Sequence, residues 1–288
     1  MQTNQLGYLK EAKSRFLSLS LPDERQMGTI HSVFRNSFNV DIDGRLINFS
    51  RTGMSLSAHG CVIAAQKMEE VLNSCRMGNI VRLNNSEYTI YTETKTIYLD
   101  TSDLPEVDLS VPDITDATVD IAETTIYKKL KEVPFKDEIG LTLNEQTSSR
   151  ISQLLTVYTC DEKELLDIIS FFLGRGKGLT PSGDDLLVGF SLVRKAVLGD
   201  SKFEKALKQS LAIRRTTDIS DAYYKAYFGG FISSHLIQLI RLLSEGNSHE
   251  ASDIIQAIGQ YGHTSGYDSL YGCYLGMQSI INERGDKV

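Results

Sequence analysis

The sequence predicts an α+β protein, with a small N-terminal antiparallel β barrel or sandwich followed by a larger all-helical bundle. Three observations carry this. Between Gly28 and Leu99 the apolar residues fall in short β-branched and aromatic runs broken by turn dipeptides. From about residue 115 onward the apolar spacing becomes helical, with Gly and Pro at the joints. Between the two, Asp100, Asp103, Glu106, Asp108 and Asp113 mix with Pro105 and Pro112, the composition of a solvated connection. The chain divides into a lead-in over 1–27, a β domain over 28–99, an acidic linker over 100–114 and a helical domain over 115–288.

In the lead-in, Leu9, Ala12, Phe16 and Leu19 recur at helical spacing, and Pro22 ends the pattern. The first strand is Thr29-Ile30-His31-Ser32-Val33-Phe34. Phe38 to Ile42 and Leu46 to Phe49 alternate apolar and polar residues around Asp43-Gly44, a strong two-residue hairpin turn. Cys61 to Ala65, Ile80 to Leu83, Glu87 to Tyr91 and Ile97 to Leu99 complete a sheet of about five to seven strands. The stretch from Ser50 to Gly60 is polar and bounded by glycine; it reads either as a solvated connection or as a loop that closes over a ligand. Beyond the linker, helices are expected over 115–132, 144–158, 161–173, 182–198, 202–213, 218–228, 230–244, 249–260 and 264–283.

The stretch with most chemical content is Gly174-Arg175-Gly176-Lys177-Gly178-Leu179-Thr180-Pro181-Ser182-Gly183-Asp184-Asp185, between two helices. Pro181 and Ser182 suit a helix start, and the two Asp suit its first turn. Capping does not account for three alternating glycines interleaved with Arg175 and Lys177. Gly-rich backbone at a helix N-terminus attracts phosphate or carboxylate, and the two cations reinforce this. It is neither a Walker loop nor a dinucleotide fingerprint, because the spacing and the flanking elements are wrong. We therefore assign Arg175, Lys177, Gly178, Thr180, Ser182 and Gly183 to anion binding. Asp184 and Asp185 are assigned to catalysis, or to a Mg²⁺ ion if one is used.

Gly262-His263-Thr264-Ser265-Gly266-Tyr267-Asp268 is built in the same way: glycine, hydroxyls, then Gly and Asp entering a helix. His263 is a candidate proton carrier, and Ser265, Gly266 and Asp268 are candidate ligand residues. Ser265, Ser269, Gly272, Gly276 and Ser279 form a small-residue ridge along that helix. Interior glycines cost a helix about 1 kcal/mol each relative to Ala, a cost that makes sense where another backbone packs close. The helix starting at Ser182, with Gly183 and Gly189, is the expected partner, and such packing would bring both loops to one end. Arg214-Arg215-Thr216-Thr217-Asp218 offers a cap and two further cations. In the β domain, His31 and Arg35 are the candidates for substrate contact.

Composition narrows the classes. The 288 residues carry a formal net charge of −7, which argues against nucleic acid as partner. Cys61, Cys75, Cys160 and Cys273 are far apart with no C-x-x-C, which suggests buried thiols in a reducing cytoplasm. There is no signal-like N-terminus, and no run approaches the roughly 20 apolar residues needed to cross a bilayer. A cytoplasmic protein without a membrane partner is expected.

The string Gly178 to Asp185, together with Gly262 to Asp268, resembles the family catalogued as DUF2877. Thr216 to Ser220 and Gly28 to Phe34 look similar to it as well, so the resemblance runs from about Gly28 to Gly276. Tyr267 departs from the Trp expected there but keeps an aromatic ring. Some members of that family are a subunit of oxamate carbamoyltransferase in anaerobic allantoin breakdown. That enzyme phosphorolyses oxalurate to oxamate and carbamoyl phosphate, and it has two further subunits, one related to acyl-CoA synthetases. The resemblance implies that this chain is the third component, active with partner subunits on phosphate, carbamoyl phosphate, oxalurate or oxamate. From the residues alone two alternatives stay open: a non-catalytic small-molecule or nucleotide-binding module, and a stand-alone Mg²⁺-dependent phosphotransfer or hydrolytic enzyme.

Overall fold

The computed structural model describes residues 11–21, 25–115, 119–245 and 249–285. Leu9 and Pro22 of the lead-in pattern lie outside them. The chain forms two compact units, Met1–Ser110 with Lys225–His235, and Val111–Tyr224 with Leu236–Val288.

The first unit is one curled, mostly antiparallel sheet of nine strands, and with the helical second unit it gives the α+β class. The strands are β1 (Ala12–Ser14), β2 (Gln26–Val33), β3 (Ser37–Ile42), β4 (Arg45–Arg51), β5 (Gly60–Ile63), β6 (Ile80–Asn84), β7 (Glu87–Tyr91), β8 (Thr96–Asp100) and β9 (Glu106–Val107). Their order is β8-β7-β6-β2-β3-β4-β5-β1-β9. The β3–β4 turn is the one predicted: Asp43 and Gly44 have φ of 53° and 74°, the double left-handed geometry that a two-residue hairpin needs. The inward residues of neighbouring strands, among them Ile30, Phe38, Val40, Phe49, Val81, Tyr88 and Ile90, form the core of the unit.

Two helices in this unit depart from expectation. Ala12 lies in β1 rather than a helix, and the helix α1 (Arg15–Ser20) begins after Ser14, whose hydroxyl accepts from the Phe16 N–H at 3.2 Å. Helix α2 (Ala65–Ser74), which buries Met68 and Val71, falls where the sequence reading has no helix; its N-cap, Ala64, makes no side-chain capping bond, so the sequence carries no start signal. The polar stretch before β5 is solvated only in its first half, where Arg51 and Gly53 are exposed. Residues 55–60 are buried in the crossover between the parallel strands β4 and β5. Ser234 stitches them in place, its hydroxyl 3.1 Å from Ser55 Oγ and 3.1 Å from the Leu56 N–H.

The second unit holds α3 (Thr125–Glu132), α4 (Phe135–Glu138), α5 (Glu145–Leu154), α6 (Glu162–Phe172), α7 (Ser182–Leu198), α8 (Ser201–Ile213), most of α9 (Asp218–Phe228) and of α10 (Ser234–Glu245), then α11 (Ala251–Gly259) and α12 (Ser265–Gly285). Many starts are capped by the residue types that capping favours. Thr124, Asn144, Asp161 and Asp200 each accept from a first-turn N–H, and Asp161 and Glu164 complete a capping box. The helix expected over 115–132 is shorter because Asp120 caps a 3-10 turn at Ile121–Glu123 and Thr124 then caps α3. Helix α7 is buried on nearly every residue, as befits a central helix.

Candidate functional site

The site grows out of the packing of α7 on α12. A Cβ on Gly272 would stand 2.8 Å from the Leu186 carbonyl carbon, and one on Gly189 would stand 3.0 Å from the Cys273 nitrogen. A Cβ on Gly276 would reach 2.9 Å from Phe190 O, and Ser279 Oγ accepts from Arg194 Nη1 at 2.9 Å. The contacts advance along both helices together, from Leu186 and Gly272 to Arg194 and Ser279, so the helices run parallel with backbones nearly touching. The expected ridge is therefore the seam, and both helix N-termini lie at one end. Thr180 Oγ1 is 2.6 Å from Ser265 Oγ.

That end has a local two-fold character. Gly189 is seven residues past Ser182, Gly272 seven past Ser265, and each abuts the opposite helix's carbonyl of Ser269 or Leu186. Gly183 packs on the Phe172 carbonyl at the end of α6, and Gly266 on the Ile258 carbonyl near the end of α11. The backbone bonds repeat too: Arg175 N–H to Phe172 O and Gly183 N–H to Arg175 O in one loop, Tyr261 N–H to Ile258 O and Gly266 N–H to Tyr261 O in the other. Side chains follow the same exchange, with the Ser265 hydroxyl beside Asp185 and the Ser182 hydroxyl beside Asp268.

Three carboxyl groups meet here. Asp184 is 2% exposed, and burial raises its pKa against the hydrogen bonds it accepts. Its Oδ1 takes the Gly174 N–H at 2.8 Å and the Tyr224 hydroxyl at 3.2 Å, and its Oδ2 takes the Thr216 hydroxyl. It thus ties together the start of the glycine loop, the α8–α9 connection and α9. Burial pushes Asp185 well above the usual carboxylate range, and the nearby Asp268 and Asp184 charges add to it, opposed by Ser265. Asp268, also 2% exposed, is raised by burial, opposed by Ser182, Thr264 and the Gly140 N–H, which donates to its Oδ1 at 3.0 Å. The Oδ2 atoms of both Asp185 and Asp268 are closed to solvent and have no hydrogen-bonding partner among the described residues.

The loop above them is held open by its glycines. Gly174, Gly176 and Gly178 have φ of 68°, 126° and 91°, the left-handed region that favours glycine. Among the described residues nothing accepts from the N–H groups of Gly176, Lys177, Gly178 or Leu179. Lys177 and Gly178 are exposed. Arg175 is instead folded back, with Nε donating to Phe171 O at 2.8 Å and the guanidinium 3.8 Å above the Phe171 ring. Thr217 donates to Leu179 O at 2.6 Å and accepts from the Ser220 N–H, so it both caps α9 and pins the loop. His263 is exposed on the second loop. His31 and Arg35 belong to the sheet unit, His31 at a bulge in β2 between Ile30 and Ser32, Arg35 exposed in the turn that follows. The residues do not suit Mg²⁺. Both Asp184 oxygens accept hydrogen bonds, burial favours the neutral acid at Asp185, and among the described residues no three His, Cys, Asp or Glu side chains are placed to hold one metal ion.

Sequence reasoning misses Gly140 and Tyr224, and sees Thr264 only as a hydroxyl of the second loop. Gly140 follows α4, and a Cβ there would lie 2.7 Å from Thr264 Oγ1 and closer still to Ser182 Oγ, so only glycine lets this segment cover both helix starts. Single residues brought in from distant segments leave no local signal.

Among protein families, residues 10–105 match the AllH family N-terminal domain, and residues 172–277 match the family described as oxamate carbamoyltransferase subunit AllH. The two matches together take in well over half of the chain. The chain belongs to the AllH family. The second match begins at Phe172, the last residue of α6, and ends within α12, so the AllH match contains both loops and the seam as far as Gly276. The other covers eight of the nine strands in full. No solved structure matches the chain. Among the described residues no helix is long and apolar enough to cross a membrane.

Proposed function

We propose that this chain is one subunit of an oxamate carbamoyltransferase, the activity that the AllH family description names, and that the resembled DUF2877 family is the same family. The reaction is the reversible attack of a phosphate oxygen on the ureido carbon of oxalurate. The C–N bond breaks, oxamate leaves after gaining a proton on nitrogen, and carbamoyl phosphate forms. The chain's part is to bind the anionic substrate at the shared end of α7 and α12, with partner subunits completing the enzyme. One observation supports this most: the unengaged N–H groups of Gly176 to Leu179, beside Lys177 and just ahead of a helix N-terminus. Negative charge that builds on the carbamoyl oxygen in the transition state would be met by such fixed donors.

The test is a reconstituted complex assayed for phosphate release from carbamoyl phosphate with oxamate. Lys177→Ala, an exposed residue, should weaken the use of carbamoyl phosphate or oxamate by about tenfold, the scale of one lost charge-assisted contact. Full activity without this chain, or unchanged kinetics in Lys177→Ala and Gly178→Ala together, would exclude the reading.

A further inference from the structure

We infer that Asp185 and Asp268 form a two-carboxyl subsite for a neutral carbamoyl or amide group, one Oδ2 accepting its N–H and the other donating to its oxygen. This rests on the functional reading above for its substrate class, and on geometry for everything else. Two buried Oδ2 atoms without partners, at one end of one seam, are rare in a folded interior, where polar atoms are nearly always satisfied. The hydroxyls of Ser265 at Asp185, and of Ser182 and Thr264 at Asp268, favour the charged carboxyls but reach neither Oδ2 with hydrogen-bond geometry. Asp268 Oδ1 is already held by the Gly140 N–H at 3.0 Å, and the hydroxyls of Ser182 and Thr264 lie beside the carboxyl. The exchanged arrangement places equivalent carboxyls on opposite helices, each next to the other helix's serine. Tyr261, whose own hydroxyl is 3.1 Å from that of Tyr223, Tyr224 and Asp184 are other titratable groups near them.

An anion alone would not choose two carboxyl groups. An amide would, because it presents an N–H donor and an oxygen acceptor side by side. Burial raises both carboxyls, and at Asp185 the Asp268 charge adds to it, which favours a proton at Asp185 that can be donated while Asp268 accepts. A cavity of about 340 Å³ is lined by Gly140 with Lys136 and Thr142. Gly140 is exposed on that side and touches Ser182 and Thr264 on the other, so displacement of this short segment gives entry.

The experiment compares oxamate with pyruvate, which has the same charge and shape but a methyl group in place of the amide nitrogen. Binding to the purified chain is measured by calorimetry for wild type, Asp268→Asn, Asp185→Asn and Lys177→Ala. Wild type should prefer oxamate by at least about tenfold, as one charge-assisted hydrogen bond implies. Asp268→Asn, which keeps an oxygen for Gly140, should lose that preference, whereas Lys177→Ala should weaken both ligands alike. A folded Asp268→Asn or Asp185→Asn chain with the wild-type preference overturns the subsite, as does wild type that binds neither ligand or both equally. Preference retained in a chain whose reconstituted complex transfers no carbamoyl group would refute the functional reading and leave the subsite standing.

Discussion

Gly272→Ala tests the seam on which the site depends. A new Cβ would sit 2.8 Å from the Leu186 carbonyl carbon and 2.9 Å from its Cα. Carbon atoms rest at about 3.5–4.0 Å, so α12 must move off α7 by about 0.7–1.2 Å. A gap of that size forfeits a quarter to a half of each dispersion contact nearby. Neither partner is a side chain that can swing away, so the overpacking cost sits at the top of the usual ~1–3 kcal/mol. Alanine regains ~1 kcal/mol of helix propensity. The net loss should be about 2 kcal/mol, a fall in Tm of about 4–8 °C. Urea unfolding followed by far-UV circular dichroism would read the loss as a lower midpoint with unchanged slope. Gly285→Ala, where a Cβ meets nothing within 4 Å, is the control and should be neutral or slightly stabilising. If Gly272→Ala proved as stable as wild type, the backbone contact inferred between these helices would be wrong.

Two further predictions concern buried charge. A folded carboxyl with a raised pKa binds more protons than its unfolded counterpart between the two values, so its contribution to stability falls as pH rises through that window. Asp185→Asn should therefore be more stable than wild type at neutral pH, with the gap closing on acidification; urea midpoints at several pH values would show it, and a gap that widened would refute it. Comparing variants matters because His59, pushed down by burial from 6.5 to about 4, acts oppositely and loses stability as pH falls through that range. Arg194, 3% exposed, binds Asp200 at 2.8 Å and Glu283 at 3.0 Å as well as Ser279. Arg194→Met leaves both carboxylates without their cation and should cost about 3–5 kcal/mol, read from the same unfolding assay.

Much of the helical unit is legible in the sequence because its signals are local. The helices expected over 182–198 and 218–228 are observed as Ser182–Leu198 and Asp218–Phe228. The glycine ridge is legible for a different reason. Glycine inside a helix is unfavourable unless something needs the space, so its recurrence at Gly272 and Gly276 implies a close neighbour from spacing alone. What escapes is set by distance along the chain or by brevity. Strands β1 and β9 are three and two residues long and gain their identity from pairing with each other and with β5. The stretch from Ser50 to Gly60 reads from its polarity as a solvated connection or a ligand loop, whereas the burial of its second half depends on Ser234, 179 residues beyond Ser55. In the candidate site the loops are visible, whereas the roles within them are not. Arg175 has the right charge and is bent onto Phe171, and Asp184 has the right chemistry and is occupied in holding three segments together.

The parallel packing explains why carboxyl groups gather where the site is. Each helix N-terminus carries the equivalent of about half a positive charge, and parallel packing sets two of them together. Antiparallel neighbours would cancel these ends; here something acidic must face them. Asp184, Asp185 and Asp268 supply that acidity from the first turns of α7 and α12. Burial works against their ionisation, however, and wins at all three. The end is left with two positive helix termini, Lys177 close by and carboxyl groups biased towards the neutral acid. On the proposed function a bound carboxylate or phosphate would supply negative charge there from outside, and the carboxyl pair of the inferred subsite would address an uncharged amide. A substrate that joins a carboxylate to an amide, as oxamate does, meets both requirements at once.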